Sequence, residues 1–298
     1  MKDLVTIGIP TYNGWMRVEN LLENIKQRTE KHIKYKVLVC DDSGRNDHRQ
    51  KVKEICNRYG ADFVYHEHNR GVPAAWNTLT RSSKTDIVIL LNDDILVAKN
   101  WLNAPLHAIM ENPKIGSFGL HCYFITKDDV PALLAGPDAQ IIPLNVRWEG
   151  STLITNERFN VMPTSIGSNP GRMMCPTGCA FGFRKEIWEK VGGFDERYRA
   201  FYEETDFGVA CAEIGYPSVQ LSCPSNYHIW SQTFGSAPEI NAGQVMADSK
   251  KKFIEKWSSR LKIHINDAPD IHPHLMDKIP PIEIRWLDEN ELQKTTVV

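Results

Sequence analysis

The sequence predicts an α/β protein built on a doubly wound, mostly parallel sheet with helices on both faces. Two observations support this prediction. Short apolar runs rich in β-branched residues alternate with segments of helical periodicity through the first 98 residues. Each apolar run then ends in polar residues, and in sheets of this type ligands bind beyond the carboxyl ends of the strands.

The first part of the chain contains four predicted strands separated by three predicted helices. The strands lie at 4–10, 35–44, 61–68 and 85–94. The helices lie at 15–29, 47–60 and 69–83, and a short loop opens the last of these segments. The polar groups that follow the strands are Pro10-Thr11-Tyr12-Asn13, Asp41-Asp42, Asn69-Arg70-Gly71 and Asn92-Asp93-Asp94. Because parallel strands end at one edge of the sheet, we expect these groups to lie close together.

The second part of the chain has a looser pattern. A loop-rich region at 126–174, with an irregular hairpin, separates one strand from the remaining elements. The tail from 267 is polar and rich in proline. The predicted elements are a strand at 115–125, a strand, short helix and Gly-Gly turn at 178–198, a helix at 203–216, a strand at 218–230 and a helix at 246–261.

Charge and composition exclude some classes of function. The 298 residues carry 35 Lys and Arg against 37 Asp and Glu, so nothing indicates sequence-independent binding of nucleic acid. No apolar run reaches the length of about 18 residues that a membrane span requires, and no apolar leader opens the chain, which predicts a cytoplasmic protein. The seven cysteines are scattered and predict reduced, buried thiols. Cys175 and Cys179 have no second pair nearby, so zinc is not predicted.

Seven motifs together resemble family 2-like glycosyltransferases with the GT-A fold, over roughly residues 4–232. Each motif is weak alone, and the seven in this order are specific. They are IGIPTYNG, VLVCDDSG, NRGVPAAWN, LLNDDILV, GCAFGFRKEIWEKVGGFDERY, FYEETDFG and YHIWSQTFG. The resemblance implies transfer of a sugar from a nucleotide-diphosphate donor to an acceptor hydroxyl, with inversion at the anomeric carbon. UDP is the first expectation for the nucleotide, followed by dTDP and GDP.

The resemblance also divides the chain. Residues 1–232 would form the GT-A domain, with a nucleotide-binding half at 1–98 and an acceptor half at 99–232. Residues 233–298 would form a C-terminal helix and tail. The acceptor is expected to be a glycan or another molecule that carries a hydroxyl group.

A divalent cation, Mn²⁺ or Mg²⁺, is the cofactor that this chemistry implies. Negative charge develops on the leaving phosphates, and hard cations prefer carboxylate and phosphate oxygens. Asn92-Asp93-Asp94 resembles the family's Asp-x-Asp element with Asn in first place. Asp94 would be the metal ligand and Asp93 would lie near the ribose or a metal-bound water. His228 would be a second ligand, and an imidazole suits Mn²⁺ better than Mg²⁺. Taken alone, the two aspartates would favour a solvated turn.

The acidic motif FYEETDFG resembles the element that supplies the general base. An Asp usually removes the proton from the acceptor hydroxyl, and Glu204 stands in its position here. Asp206 is the second choice and Glu203 the third. Acids in the first turn of a helix also act as caps, and both roles are compatible.

The donor nucleotide is expected at the ends of the first strands. Pro10, Thr11 and Tyr12 would hold the base, which Tyr12 would stack against. Asp42 resembles the residue that accepts a hydrogen bond from the base N–H. The other predicted donor contacts are Asn69, Arg70, Asn92 and Asp93. Candidates on the sugar and acceptor side are Gly178, Cys179, Asp195, Trp148 and Trp230.

Two other functions are compatible with an α/β sheet. A nucleotidyltransferase would need a basic, glycine-rich loop for the triphosphate near the N-terminus, and PTYNG contains neither Lys nor Arg. A carbohydrate-binding or scaffold protein could have kept the fold without the chemistry. The joint presence of Asp94, Glu204 and His228 argues against that alternative.

Overall fold

The computed structural model describes residues 4–136, 138, 172–173, 178–216, 218–229 and 240–257. Within these residues, nine strands form one sheet, and β7 pairs with β9 at its side. Along the sheet the order is β3-β2-β1-β4-β8-β6-β9-β5. The strands are β1 Val5–Thr11, β2 Tyr35–Asp41, β3 Asp62–Tyr65, β4 Ile87–Leu91, β5 Ile95–Leu96, β6 Ser117–Phe124, β7 Arg172–Met173, β8 Ala180–Arg184 and β9 Ser218–His228.

Eight α-helices lie in the described part of the chain, together with a 3₁₀ turn at Lys127–Asp129. None of these helices combines the length and apolar character that a membrane crossing requires. The helices are α1 Trp15–Arg28, α2 Asn46–Tyr59, α3 Val72–Ser82, α4 Asn103–Glu111, α5 Val130–Leu134, α6 Lys185–Val191, α7 Glu203–Glu213 and α8 Ala242–Trp257.

The predicted α/β fold is confirmed, and its parallel part is the β3-β2-β1-β4 block. β1 is almost entirely buried because it is central and covered on both faces, which explains its continuous apolar sequence. Its register with β2 pairs Thr11 with Asp41, so both strands end at the same level. The polar residues that follow these strands therefore share one edge of the sheet, as the sequence predicted.

The second half of the sheet brings distant residues to that same edge. β8 runs antiparallel to β4, and the Asn92 N–H donates to the Cys179 carbonyl at 2.8 Å, next to the start of β8. β5 runs antiparallel to β9 and pairs Ile95 with His228. His228 therefore lies beside Asp94, although 134 positions separate them in the sequence.

Several elements differ from the sequence prediction. β5, α4 and the short helix α5 were not predicted, and α8 begins at Ala242 rather than at 246. Helix α4 buries five consecutive residues, so it lacks the polar face that makes a surface helix recognisable. The expected hairpin within 126–174, Trp148, Trp230 and the tail from 267 lie outside the described residues.

Two apolar layers cover the faces of the sheet, and a smaller cluster anchors the last helix. One layer includes helices α1, α2 and α4. The other is an aromatic cluster in which Trp76, Phe181, Phe183, Phe194 and Phe207 meet mostly edge to face. The anchor of α8 consists of Phe253 and Trp257 against Tyr198 and Val209. The five described cysteines are buried, and none of them forms a disulfide with another described residue.

Candidate active site

A cleft opens at the carboxyl edge of the parallel strands. It brings together eight of the residues predicted for the donor and the metal, and seven others, of which Gly71 was expected at the same edge of the sheet. The predicted residues are Pro10, Thr11, Tyr12, Asp42, Asn69, Asn92, Asp93 and Asp94. The others are Gly71, Val72, Ala75, Arg199, Ala200, Ile240 and Val245.

Asp93 is held by a clamp that sequence reasoning missed. Arg17 donates from Nε to Asp93 Oδ1 at 2.9 Å and from Nη2 to Oδ2 at 3.2 Å, and the Thr11 hydroxyl donates to Oδ2 at 2.6 Å. A Cβ atom at Gly14 would lie 2.2 Å from Asp93 Oδ2, so only glycine leaves room for this clamp. Protein donors therefore occupy both oxygens of Asp93, the residue expected near the ribose or a metal-bound water.

Asp94 faces His228 across the antiparallel β5–β9 pair. Their closest atoms, Asp94 Oδ1 and His228 Nε2, are 3.2 Å apart, and both residues are 5% exposed. Burial alone would lower the pKa of His228, but the Asp94 carboxylate raises it well above the ordinary value. Asp94 Oδ1 is buried and accepts no hydrogen bond of good geometry from any described residue. A buried carboxylate oxygen of this kind is a natural cation ligand.

The Asp94–His228 pair supplies only part of a metal shell. No cluster of three or more His, Cys, Asp or Glu side chains with metal-binding geometry occurs among the described residues. Divalent cations in nucleotide-dependent enzymes commonly take one or two protein ligands and complete their shell with substrate phosphates and water. The residues present therefore fit a cation that binds together with the donor.

The carboxylate of Asp42 is already saturated. Oδ1 accepts from His66 Nδ1 at 2.7 Å and from the Arg70 N–H at 2.8 Å. Oδ2 accepts from the Gly71 N–H at 2.9 Å and from Asn69 Nδ2 at 3.2 Å. Four donors fill its acceptor positions. A hydrogen bond from a nucleobase to Asp42 would have to displace one of them, and Asn69 makes the longest contact of the four.

Asn69 and Arg70 were predicted to contact the donor, but their side chains bind other residues of the protein. The Asn69 side chain donates to Asp42 and accepts from Arg199 Nη2 at 2.9 Å. The guanidinium of Arg70 pairs with Glu196 at 2.8 Å and is not part of the cleft lining. Arg70 therefore contacts Asp42 through its backbone N–H, while its side chain forms an ion pair with Glu196.

The first turn of α7 carries the predicted bases. Phe201 and Tyr202 have φ values of 64° and 69°, which is unusual for two consecutive residues other than glycine and costs about 1–3 kcal/mol each. Strained backbone therefore leads into Glu203 and Glu204. Burial raises the pKa of Glu204 to about 7, although the N–H groups of Glu204 and Thr205 act in the opposite direction.

Glu203 and Gly178 complete the surroundings of Glu204. Burial, followed by the charge of Glu204, raises the pKa of Glu203 well above its ordinary value, and its Oε2 accepts no hydrogen bond from a described residue. A Cβ atom at Gly178 would lie 2.9 Å from Cδ of Glu204. Gly178 precedes Cys179, whose carbonyl accepts from Asn92. Glu204 is thus linked by direct contacts to the end of β4.

Asp206, the second choice for the base, is a structural support. Its Oδ2 accepts from Lys256 Nζ at 2.7 Å, and its Oδ1 accepts from Trp257 Nε1 at 2.8 Å and from Tyr198 OH at 3.2 Å. These three donors connect Asp206 to α8 and to Tyr198. Asp195 lies beside it, bound to Arg197 and to the same lysine. The geometry favours Glu204 over Asp206 as the base.

A family model described as glycosyl transferase family 2 matches residues 6–192. The chain belongs to this family. The glycosyltransferase is 23% identical to the N-acetylglucosaminyl-diphospho-decaprenol L-rhamnosyltransferase of Mycobacterium tuberculosis, over 93% of this chain and 94% of the relative. It is 28% identical to an uncharacterized glycosyltransferase of Haemophilus influenzae, over 92% of this chain and 85% of the relative.

Solved structures agree on the fold of this glycosyltransferase. The mannosyltransferase PcManGT from Pyrobaculum calidifontis, in complex with GDP-Man and Mn²⁺, matches 93% of this chain and 69% of its own with a TM-score of 0.58 and 18% identity. GalNAc-T7 with UDP, GalNAc and Mn²⁺ matches 87% of this chain and 50% of its own with a TM-score of 0.65 and 17% identity. The predicted GT-A fold and the assignment as a glycosyltransferase with a nucleotide-sugar donor are confirmed.

Proposed function

We propose that this protein is a metal-dependent, inverting glycosyltransferase that moves a sugar from a UDP-sugar to an acceptor hydroxyl. The observation that carries the proposal is the buried Asp94–His228 pair: Asp94 lines the cleft, and its Oδ1 lies 3.2 Å from His228 Nε2 but accepts no hydrogen bond of good geometry from a described residue. Neither a nucleotidyltransferase nor a scaffold without chemistry explains this pair together with membership of a glycosyltransferase family.

Asp94 and His228 are the residues that would hold the cation. A carboxylate and an imidazole together suit Mn²⁺, and Mg²⁺ is the second choice. When bound, the cation offsets the negative charge that develops on the leaving diphosphate. Arg17 and Thr11 hold the neighbouring Asp93 in place, which positions the chain after β4 for the donor.

Glu204 is proposed to act as general base. A pKa near 7 places the carboxylate close to the working pH, where proton transfer is most effective. The acceptor oxygen forms a bond to the anomeric carbon while the bond from that carbon to the diphosphate breaks. The hydroxyl proton passes to Glu204, and the nucleoside diphosphate leaves. Attack from the face opposite the leaving group inverts the anomeric carbon, and no covalent enzyme intermediate is needed.

The nucleotide and the acceptor are the finer parts of the proposal. The two solved structures contain GDP-Man and UDP respectively, so they differ in the base. UDP follows from the motif resemblance, while the saturated carboxylate of Asp42 leaves base recognition to other groups of the cleft. The acceptor is proposed to be a glycan or another hydroxyl compound, and the name of the mycobacterial relative adds lipid-linked sugars to those that should be tried.

A nucleotide titration tests this function. The melting temperature of the purified protein is measured with UDP, dTDP, GDP and CDP, each with and without Mn²⁺, because a ligand of the folded state raises it. We expect a metal-dependent increase with UDP that is lost in Asp94→Ala and retained in Asp128→Ala, an exposed control. The absence of any increase with all four nucleotides would contradict the proposed function.

A further inference from the structure

The C-terminal helix lines the same cleft as the predicted donor residues. Ile240, just before α8, and Val245, in its first turn, share the cleft with Asp42 and Asn69. Both side chains are partly exposed, whereas residues of α8 further along are buried against the domain. The sequence motifs of the family end before this helix, so no motif indicated a role for it.

Helix α8 is attached to the domain by side chains of its second half. Ser249 Oγ donates to the Ala200 carbonyl at 2.7 Å, and Lys252 Nζ donates to the Arg197 carbonyl at 2.7 Å. At its C-terminal end, Lys256 and Trp257 bind the carboxylate of Asp206. These contacts define the position of Val245 relative to the segment at 197–200.

That segment is bound to the part of the cleft around Asp42. Arg199 Nη2 donates to Asn69 Oδ1 at 2.9 Å, and Asn69 in turn donates to Asp42. The Val72 N–H donates to the Arg199 carbonyl at 2.9 Å. A Cβ atom at Gly71 would lie 2.7 Å from the same carbonyl oxygen, so the backbone segments at Gly71 and Arg199 approach as closely as glycine permits. Direct contacts therefore connect α8 to Asp42.

We propose that Ile240 and Val245 pack against the nucleobase of the donor and make α8 a wall of the donor site. With Val72, Ala75 and Ala200 they contribute apolar surface to the lining of the cleft. The face of a nucleobase is the part of a nucleotide sugar that loses least when such a surface covers it, because phosphates and sugar hydroxyls would be left without hydrogen-bond partners. The inference rests on the proposed donor site and adds its base-covering element.

Substitutions of Val245 test the inference, with the next residue as control. The Kd for UDP in the presence of Mn²⁺ is measured calorimetrically for Val245→Ala, Val245→Asp, Met246→Ala and Met246→Asp in the full-length chain. Met246 is 43% exposed, follows Val245 on α8 and does not line the cleft. We expect UDP to bind about three- to tenfold more weakly to Val245→Ala and still more weakly to Val245→Asp. The Met246 variants should bind UDP as the wild type does.

The outcomes separate this inference from the function on which it rests. Equal UDP affinity in the wild type and in both Val245 variants would overturn the role of α8 and leave the donor site in place. No binding of UDP, dTDP or GDP to the wild type would overturn both. The Val245 variants could instead bind UDP with unchanged affinity at saturating Mn²⁺ but need a different Mn²⁺ concentration for half-maximal binding. That result would place Val245 near the cation and would also overturn the inference. If Val245→Asp is poorly folded, Val245→Ile is compared with Val245→Ala instead. Val245→Ile keeps the apolar surface and should bind UDP with wild-type affinity.

Discussion

Two groups of buried carboxylates in this protein differ in what surrounds them. Asp42 and Asp206 each accept hydrogen bonds from three or four protein donors. Glu203 Oε2 is buried and accepts no hydrogen bond from a described residue, and the buried Asp94 Oδ1 has an ion pair with His228 but no hydrogen bond of good geometry. In the sequence, all four lie in similar acidic motifs. The difference separates acids whose oxygens are occupied by protein donors from acids with a buried oxygen that accepts no hydrogen bond from a described residue.

The supporting carboxylates connect segments that are distant in the sequence. Asp42 accepts hydrogen bonds from the loop at 69–71, and Asp206 binds the end of α8 to the start of α7. A hydrogen bond to a charged group contributes about 1.5–3 kcal/mol, so several such bonds hold these segments firmly. Unpaired buried oxygens have the opposite effect and lower stability, which is typical of functional sites.

The largest expected effect separates Glu204 from Asp206. Glu204→Gln should lower kcat by about 10²- to 10⁴-fold because it removes the proton acceptor, with little change in UDP affinity. Asp206→Asn keeps an acceptor for Trp257 and Tyr198 but loses its charge against Lys256. It should lower the free energy of unfolding by about 1–3 kcal/mol. Steady-state kinetics and urea unfolding of both variants measure the two effects.

The reverse pattern would contradict this division of roles. A Glu204→Gln variant with wild-type kcat would remove Glu204 from the mechanism. An Asp206→Asn variant that unfolds as the wild type does, but has lost its activity, would restore Asp206 as the base.

The Arg17–Asp93 clamp should show the next largest effect, on stability. Arg17→Met leaves a carboxylate that is 5% exposed without its cation, and we expect a loss of about 3 kcal/mol in the free energy of unfolding. Arg58→Met is the matched control, because Arg58 pairs with Glu19 but is 59% exposed. Its loss should not exceed about 0.5 kcal/mol. Urea unfolding measures both losses. Similar losses in the two variants would show that burial does not increase the contribution of the Arg17–Asp93 pair to the free energy of unfolding.

Lys256 should contribute less, since its side chain is 29% exposed. Lys256→Met removes the cation that Asp195 and Asp206 share, and we expect a loss of about 1–2 kcal/mol. Lys251→Met, on an exposed face of the same helix, loses only a 3.9 Å pair with Glu255. Thermal unfolding of the two variants compares their losses of stability directly. If Lys251→Met loses as much stability as Lys256→Met, the docking of α8 does not depend on the bond between Lys256 and Asp206.

The sequence predicted the fold well because the apolar pattern is a local signal. Each central strand is a continuous β-branched run, and α1 and α2 have clear apolar faces. The pattern failed at β5, which has two residues, and at α4, whose helical residues are buried without alternation. Neither element has a periodicity that a single sequence can reveal.

The site was predictable only to the level of which residues gather at the sheet edge. Strand ends located Thr11, Asp42 and Asp94, but the sequence carries no signal for which carboxylates are saturated. The donors that saturate them come from far along the chain, as with Arg17, which lies 76 positions from Asp93, and Lys256, 50 positions from Asp206. The same distance in sequence hid the contribution of Val245.

The smallest expected effect concerns the pH dependence of Glu204. Its pKa in the folded protein, about 7, is above the ordinary value of 4.5, so the folded state favours the protonated form. The stabilisation from that proton is complete below about pH 4.5 and is lost as the pH rises through about 7. Glu204→Gln cannot ionise, and its stability relative to the wild type should increase between pH 5 and pH 8, by an amount on the order of 1 kcal/mol because Glu204 is partly exposed.

Wild-type kcat should change with pH in the opposite direction from stability. A base must be deprotonated to act, so kcat should rise as the pH passes through about 7 while the wild type loses stability relative to Glu204→Gln. Unfolding experiments at pH 5 and pH 8, together with a pH profile of kcat, measure both trends on the same proteins. A stability difference that does not change with pH would show that Glu204 has an ordinary pKa. In that case the contrast with the supporting carboxylates would rest on Asp94 and Glu203.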